Sequence, residues 1–566
     1  MGAQVRIISI GALFLGVGLL LGMRLVLFQV LEHNELRAKA DAEHRHQVTV
    51  PARRGDILDR NGQPLAITVM YGTVEVVGTQ VKSPERAAQA LAPYVQMRPE
   101  DIQALIDPQN AVPVQVKSGL PAAIIANIEN ADIQGVVTRP AQSRNYPDGS
   151  LAARVIGLVG TDYHGLAGIE NYYDDELAGT PGLLDTELNT AGQEIILGRK
   201  LRLPPQDGSD IVLTIDRYTQ RLAERLLAEA VAKNRSTGGS IIIMEPASGE
   251  VLASATLPTY DMNDERRFSP ESTTLFKSAE VADQYEPGSV LKVLTMAAGL
   301  EDGVVTPETT VNDNGLVTVN GIAVRNWNLA GNGLINMTEV LVRSSNIGAQ
   351  FVAGKLGADR FYDYYTRFGL GAPTNVDLPG EISGMVRTNQ RPDWNKLDLV
   401  TNSFGQGIAV TPIQLAAAMS SLANDGLRMR PHFVREIRSP QGVQTIAPQA
   451  EAQVVSPRTA QTLRGMMVHV LEQPALEQWR IPGYRAAGKT GTADYATIGG
   501  YRSGKTYASV VALTPAEAPR LAILIRLDAP AAIYGGVVAV PVLAELLPAL
   551  YTYYRIPPSD TIPGGQ

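Results

Sequence analysis

Apolar residues are concentrated in one unbroken stretch near the N-terminus and fall into short periodic runs thereafter. From Ile7 to Met23 the sequence reads IISIGALFLGVGLLLGM without a charge, Arg24 interrupts, and Leu25 to Phe28 resume the run. About 20 apolar helical residues cross a hydrocarbon layer of about 30 Å, so residues 7–28 predict one transmembrane helix. Arg24 lies close enough to its end to snorkel into the headgroups. No small-x-small cleavage site follows; Gln29 to Glu35 are bulky or polar, which disfavours a cleaved signal peptide. Residues 1–6 then form a short cytoplasmic tail and the remaining chain lies across the membrane. Basic residues flank both sides of the span, so charge asymmetry contributes little to this orientation.

Beyond the anchor, Leu31 to Glu43 reads as a polar helix. Short β-like runs (Val48 to Val50, Gly72 to Val77) mix with helical patterns (Glu85 to Val95, Ala122 to Glu129). The stretch Leu201 to Asp210 combines Pro-Pro with Asp-Gly, a loop signal that marks the main domain boundary. After it, Ile211 to Ile215 is a strand, and Asp216 caps a helix to about Lys233. Ser240 to Glu245 and Glu250 to Thr256 form a hairpin around Pro-Ala-Ser-Gly. Tyr507 to Leu513 and Leu521 to Leu527 form a second apolar pair, while residues 287–425 read as mainly helices and loops. The simplest architecture is one antiparallel sheet assembled from both ends of residues 210–566 with a helical lobe inserted between. Residues 557–566 read as a frayed tail.

Composition narrows the chemistry. The 566 residues contain no cysteine, which excludes disulfides, zinc ribbons, iron–sulfur clusters and cysteine nucleophiles. With 49 basic and 57 acidic side chains the net charge is −8, and no Lys/Arg cluster offers a face for nucleic acid. Six histidines are scattered; His44 and His46 are the only close pair and read as a solvated helix face. No Gly-x-Ser-x-Gly is present, so a Ser-His-Asp hydrolase is not indicated.

Three short motifs fall in the second half. Ser289-Val-Leu-Lys292 follows Pro287-Gly288 and opens an apolar helix, so the i, i+3 spacing puts hydroxyl and amine on one face. Burial beside a second cation lowers a lysine's pKa toward neutrality and makes it a base. Ser344-Ser345-Asn346 supplies a second hydroxyl that can relay a proton and an amide that can bind a peptide group. Lys489-Thr490-Gly491-Thr492 reads as a strand entry, where the glycine admits another backbone and the lysine and threonines can hold a carboxylate. Each motif is common by itself: Ser143-Arg144-Asn145 repeats the second pattern, and Gly504-Lys505-Thr506 nearly repeats the third.

Their order and separation are less common, and here the chain resembles the serine penicillin-recognising enzymes, most closely the class B penicillin-binding proteins. The resemblance extends to Arg54-Gly-Asp-Ile-Leu-Asp59-Arg60-Asn-Gly62, Arg144-Asn-Tyr146-Pro147, Gly165 to Glu170 and Ser403-Phe-Gly405-Gln406-Gly407. The family often has His at position 154 and Thr at position 290, where this chain has Arg and Val.

The resemblance implies an α/β (α+β) fold: a β-lactamase/transpeptidase-like domain over residues 210–555 with an antiparallel sheet and helical lobe, a mixed pedestal over 31–205 and the anchor. It implies a peptidoglycan D,D-transpeptidase with Ser289 as nucleophile and Lys292, Ser344 and Lys489 as proton carriers. Asn346, Thr490, Gly491 and Thr492 bind substrate, and the backbone N–H groups of Ser289 and Thr492 hold the oxyanion. It implies no metal or cofactor. The expected partners are stem peptides, β-lactams and a polytopic glycosyltransferase of the shape, elongation, division and sporulation family. A D,D-carboxypeptidase or β-lactamase would share the motifs, and a scaffold activating the glycosyltransferase is a third reading. Polymerisation itself falls to the partner, because residues 31–205 match pedestal signatures.

Overall fold

The computed structural model describes residues 2–36, 45–187, 200–497 and 500–559. Most of the helix expected over Leu31 to Glu43, and the tail beyond Ser559, lie outside the described residues. The apolar N-terminal run is helical from Gly2 to Val26 and continues as a π-helical turn, Leu27–Leu31. The 28 residues from Gln4 to Leu31 are long and apolar enough to cross a membrane.

The chain separates into two compact units. The first comprises Met1–Arg53, Val69–Ser143 and Gly179–Gly208; the second comprises Arg54–Thr68, Arg144–Ala178 and Ser209–Gln566. In the first, Arg45–Val50, Gly182–Glu187 and Lys200–Leu203 form an antiparallel ribbon. Residues Tyr71 to Val76 pair with Val114–Pro121, and helices Pro84–Val95, Pro99–Leu105 and Ala122–Asn130 close a small core of Val74, Val76, Leu91, Ile102 and Ile128. Pro84 sits in the first helical turn, where its missing N–H costs no bond.

In the second unit, helix α1 (Arg217–Asn234) starts where expected, with the Asp216 carboxylate accepting from Thr219 N–H at 2.9 Å. Strands β1 (Gly238–Met244), β2 (Val251–Leu257), β3 (Ala487–Thr497), β4 (Gly500–Thr514) and β5 (Leu521–Asp528) form one antiparallel sheet in the order β2-β1-β5-β4-β3. The two apolar pairs therefore do meet, and the Lys489 segment adds a fifth strand at the edge.

Alternating residues of each strand face opposite cores. Ile242, Met244, Val511 and Leu524 pack with α2 (Lys292–Glu301) and the fully buried Pro412–Ala423 helix. Ile241, Ile243, Val510 and Ile523 pack instead with α1 and the Val540–Tyr553 helix. Burial of both faces explains why the strands read as continuous apolar runs rather than alternating ones.

The inserted lobe departs from the expectation of helices and loops. Residues 310–336 make two short ribbons, Thr310–Asp313 with Gly333–Asn336 and Leu316–Val319 with Ile322–Arg325. The second turns at Asn320-Gly321, both with positive φ (49° and 78°), the conformation that favours Asn-Gly in a two-residue hairpin. That dipeptide was the available signal.

Candidate active site

The nucleophile candidate is placed by a tight packing of glycines. Ser289 lies in a 3-10 turn, Gly288–Leu291, immediately before α2. Gly288 has φ +60°, and a Cβ there would stand 2.6 Å from the carbonyl oxygen of Thr492 on β3. Its N–H donates to the Gly405 carbonyl at 3.0 Å, which brings the Ser403–Gly407 loop against the same turn. Gly491 is equally constrained: a Cβ there would meet Ser509 Oγ at 2.5 Å and Val290 Cγ2 at 2.6 Å. Side chains at either position would push the serine turn and the edge strand apart.

Three of the expected residues converge through hydrogen bonds. Lys292 is 1% exposed and donates from Nζ to the Ser344 carbonyl at 2.6 Å and to Ser344 Oγ at 3.2 Å. Lys489 is fully buried on β3 and donates to the same hydroxyl at 3.0 Å and to the Thr490 carbonyl at 2.9 Å. Ser344 adopts a left-handed conformation, φ +54°, unusual for a residue with a side chain. The i, i+3 spacing puts the Ser289 hydroxyl and the Lys292 amine on one face; among the described residues no hydrogen bond joins them. The Lys292 amine instead donates to the carbonyl and the hydroxyl of Ser344.

Electrostatics favour neutral amines here. Desolvation, then the neighbouring Lys489 charge, pushes Lys292 well below the ordinary lysine value, with Asp313 acting weakly in the opposite sense. Burial brings Lys489 down to about 7. A neutral lysine is a competent general base, and a pair of amines bridged by one hydroxyl is a route for a proton.

Asn346 is set apart from this cluster. It begins α3 (Asn346–Arg367); its N–H donates to Asn326 Oδ1 at 2.8 Å and its Nδ2 to the Arg325 carbonyl at 2.7 Å. Thr490, Gly491 and Thr492 lie on β3, whose outer side no strand of the sheet covers; Thr492 Oγ1 accepts from Gly535 N–H at 3.3 Å. Sequence reasoning missed Asp313 and Asn326, which hold the Ser344–Asn346 turn, because they lie in the unanticipated ribbons. It also missed Trp327, 57% exposed, whose ring meets Tyr534 edge-on at 5.5 Å and whose Nε1 donates to the Arg343 carbonyl at 3.2 Å. An exposed tryptophan in an Asn/Gly-rich loop was the only cue.

A serine at the head of a buried helix, two desolvated amines and an open sheet edge are the groups that an acyl-transfer site would use. Comparison with known proteins addresses the family. Residues 239–548 match the penicillin binding protein transpeptidase domain and residues 49–213 the penicillin-binding protein dimerisation domain. The stage V sporulation protein D of Bacillus subtilis is 31% identical over 539 residues, covering 94% of this chain and 83% of that protein. A probable peptidoglycan D,D-transpeptidase of Pseudomonas aeruginosa, PbpC, is 31% identical over 571 residues, covering 98% and 96%. Among solved structures, a peptidoglycan synthetase from Bifidobacterium adolescentis superposes with a TM-score of 0.79 at 27% identity, covering 91% of this chain and 97% of that one. The chain belongs to the class B penicillin-binding proteins.

Proposed function

We propose that this protein is a peptidoglycan D,D-transpeptidase that cross-links stem peptides through a serine ester and is acylated by penicillin. The observation that carries the reading is the pair of buried lysines converging on Ser344 Oγ beside the Ser289 turn. Neutral Lys292 takes the proton of Ser289, whose Oγ bonds to the penultimate D-Ala carbonyl. The N–H groups of Ser289 and Thr492 hold the oxyanion, an interaction typically worth some kcal/mol of barrier. The peptide C–N bond then breaks, and Ser344, with Lys292 and Lys489, returns the proton to the departing D-Ala. Asn346 aligns the peptide, which lies along the open edge of β3, where Gly491 admits its backbone and Lys489, Thr490 and Thr492 hold its terminal carboxylate. An amine of a second strand attacks the ester, forms the new peptide bond and gives its proton back to Ser289.

In the same reading residues 31–205 are a pedestal and 210–555 the transpeptidase domain. The apolar span near the N-terminus is a single-pass anchor with the catalytic domain outside the cytoplasm. Its partner is a polytopic membrane glycosyltransferase of the shape, elongation, division and sporulation family.

Labelled penicillin tests the site. Wild type is expected to be labelled covalently and Ser289→Ala not at all; labelling that persists at another residue sinks the assignment. Product analysis with an acceptor amine separates transfer from hydrolysis: cross-linked dimers support the proposal, and trimmed peptides alone overturn it.

A further inference from the structure

The ribbons of residues 310–336 carry a buried carboxylate that the reaction scheme leaves unused. Asp313 ends the strand Thr310–Asp313 and is fully buried. Its Oδ1 accepts from Gly315 N–H at 2.8 Å and from Asn326 Nδ2 at 2.8 Å. Its Oδ2 accepts from Asn326 Nδ2 at 2.9 Å, Asn332 Nδ2 at 2.6 Å and Ser345 Oγ at 2.6 Å. Every partner is a neutral donor, so only an ionised, acceptor-only group satisfies them all.

Two consequences reach the site. Because Asn326 Nδ2 is committed to Asp313 and to the Ala330 carbonyl at 3.0 Å, its Oδ1 must point the other way, where it accepts from Asn346 N–H at 2.8 Å. The carboxylate thereby sets the orientation of an amide that anchors the start of α3. Ser345, the helix cap, donates its hydroxyl to Asp313 while accepting from Gly348 N–H at 2.8 Å. Ser345 is thus held on both sides, and its neighbour Ser344 takes the left-handed conformation that turns carbonyl and hydroxyl toward Lys292.

We infer that Asp313 is a positioning residue for the acylation step: through Ser345 it fixes Ser344 against Lys292, and through Asn326 it fixes Asn346 at the start of α3. The inference rests on the proposed role of Lys292 as base. Asp313 also faces Lys292 electrostatically; the other charged group that does so is Lys489, on the edge strand β3.

The experiment measures the second-order rate of labelling by a fluorescent penicillin across pH, per folded molecule, in the full chain. Asp313→Asn turns a donor toward Asn326, Asn332 and Ser345, and the rate is expected to fall about 10–100-fold. Loss of the negative charge also moves the acid limb of the profile to lower pH, because less opposes the depression of the Lys292 pKa. Ser345→Ala keeps the carboxylate; it is expected to slow labelling several-fold and leave the limb in place. A wild-type rate in Asp313→Asn, or an unmoved limb whatever the rate, overturns the inference. A lowered melting temperature with unchanged rate per folded molecule overturns it equally, since that is the signature of a residue that only stabilises the fold. Should Asp313→Asn not fold, Ser345→Ala decides alone: unaltered labelling overturns the inference. Labelling that survives Ser289→Ala would instead remove the underlying reading of the site.

Discussion

Two clusters of buried charge in the second unit are built on opposite plans. Around Glu170, every cation has a carboxylate: Arg54 Nε lies 2.8 Å from Glu170 and its Nη1 2.6 Å from Asp174, while Arg144 Nε lies 2.7 Å from the other Glu170 oxygen. Arg54 also donates to the Glu170 carbonyl at 2.8 Å, and Arg144 to the Gly55 carbonyl at 2.7 Å. Around Ser344, Lys292 and Lys489 are as deeply buried but donate only to a hydroxyl and to backbone carbonyls. The consequences diverge. Burial alone disfavours the Arg54 cation, yet Glu170 and Asp174 outweigh it and raise its pKa further. With no carboxylate in hydrogen-bonding range, the same desolvation drives both lysines toward neutrality. Paired burial fixes charge and holds chain segments together; unpaired burial makes a base.

Substitutions at three positions sharpen or break this contrast. The largest effect is expected at Lys292. Replacement by Arg keeps a donor that stays protonated, and replacement by Met keeps an apolar stem of similar length without the amine. Both should slow penicillin acylation by about 10³-fold, within the usual range for loss of a general base. Stopped-flow labelling checks this, and a near-normal rate in the Arg variant would show that deprotonation is not required.

Next comes Glu170→Gln, which leaves buried Arg144 without a carboxylate and Arg54 with Asp174 alone, and is expected to lower unfolding stability by about 3–5 kcal/mol in urea titration. A change under about 1 kcal/mol would mean that the cluster is not a structural counterpart.

The smallest effect is a pH dependence. The Lys489 pKa is depressed to about 7 in the folded state, so between that value and the ordinary 10.5 the unfolded chain binds more protons. Stability contributed at this position therefore rises with pH through that window. Compared with Lys489→Met, wild type should gain in melting temperature from pH 7 to pH 10, by about 1–2 °C for each kcal/mol recovered in a domain of this size. A difference that stays constant with pH would place a charged Lys489 in the folded protein.

The contrast also separates the motifs from their near copies. Ser143-Arg144-Asn145 repeats the pattern of Ser344-Ser345-Asn346, but Ser143 is exposed and Arg144 is tied to Glu170. Lys505 repeats Lys489 but lies on β4 without full burial. The letters are the same; the desolvation is not. Spacing along the chain could order the three motifs and the strands of the sheet, because apolar runs and turn residues act locally. The Asp216 cap, the helical pattern of Glu85 to Val95 and the β1–β2 hairpin were legible for that reason. The ribbons of 310–336 were not, since their strands are four residues long and largely exposed, and only Asn320-Gly321 marked one turn.

Sequence by itself determined the apolar span, the division of strands around an inserted lobe and the order of the three motifs that supply the candidate groups. Tertiary structure alone decided that the Lys292 amine rests on Ser344 rather than on Ser289, that a carboxylate 32 residues from Ser345 holds it, and that two lysines share one hydroxyl. The reason is physical: a side chain's identity is local, whereas its solvation and its hydrogen-bond partners come from segments that meet only on folding.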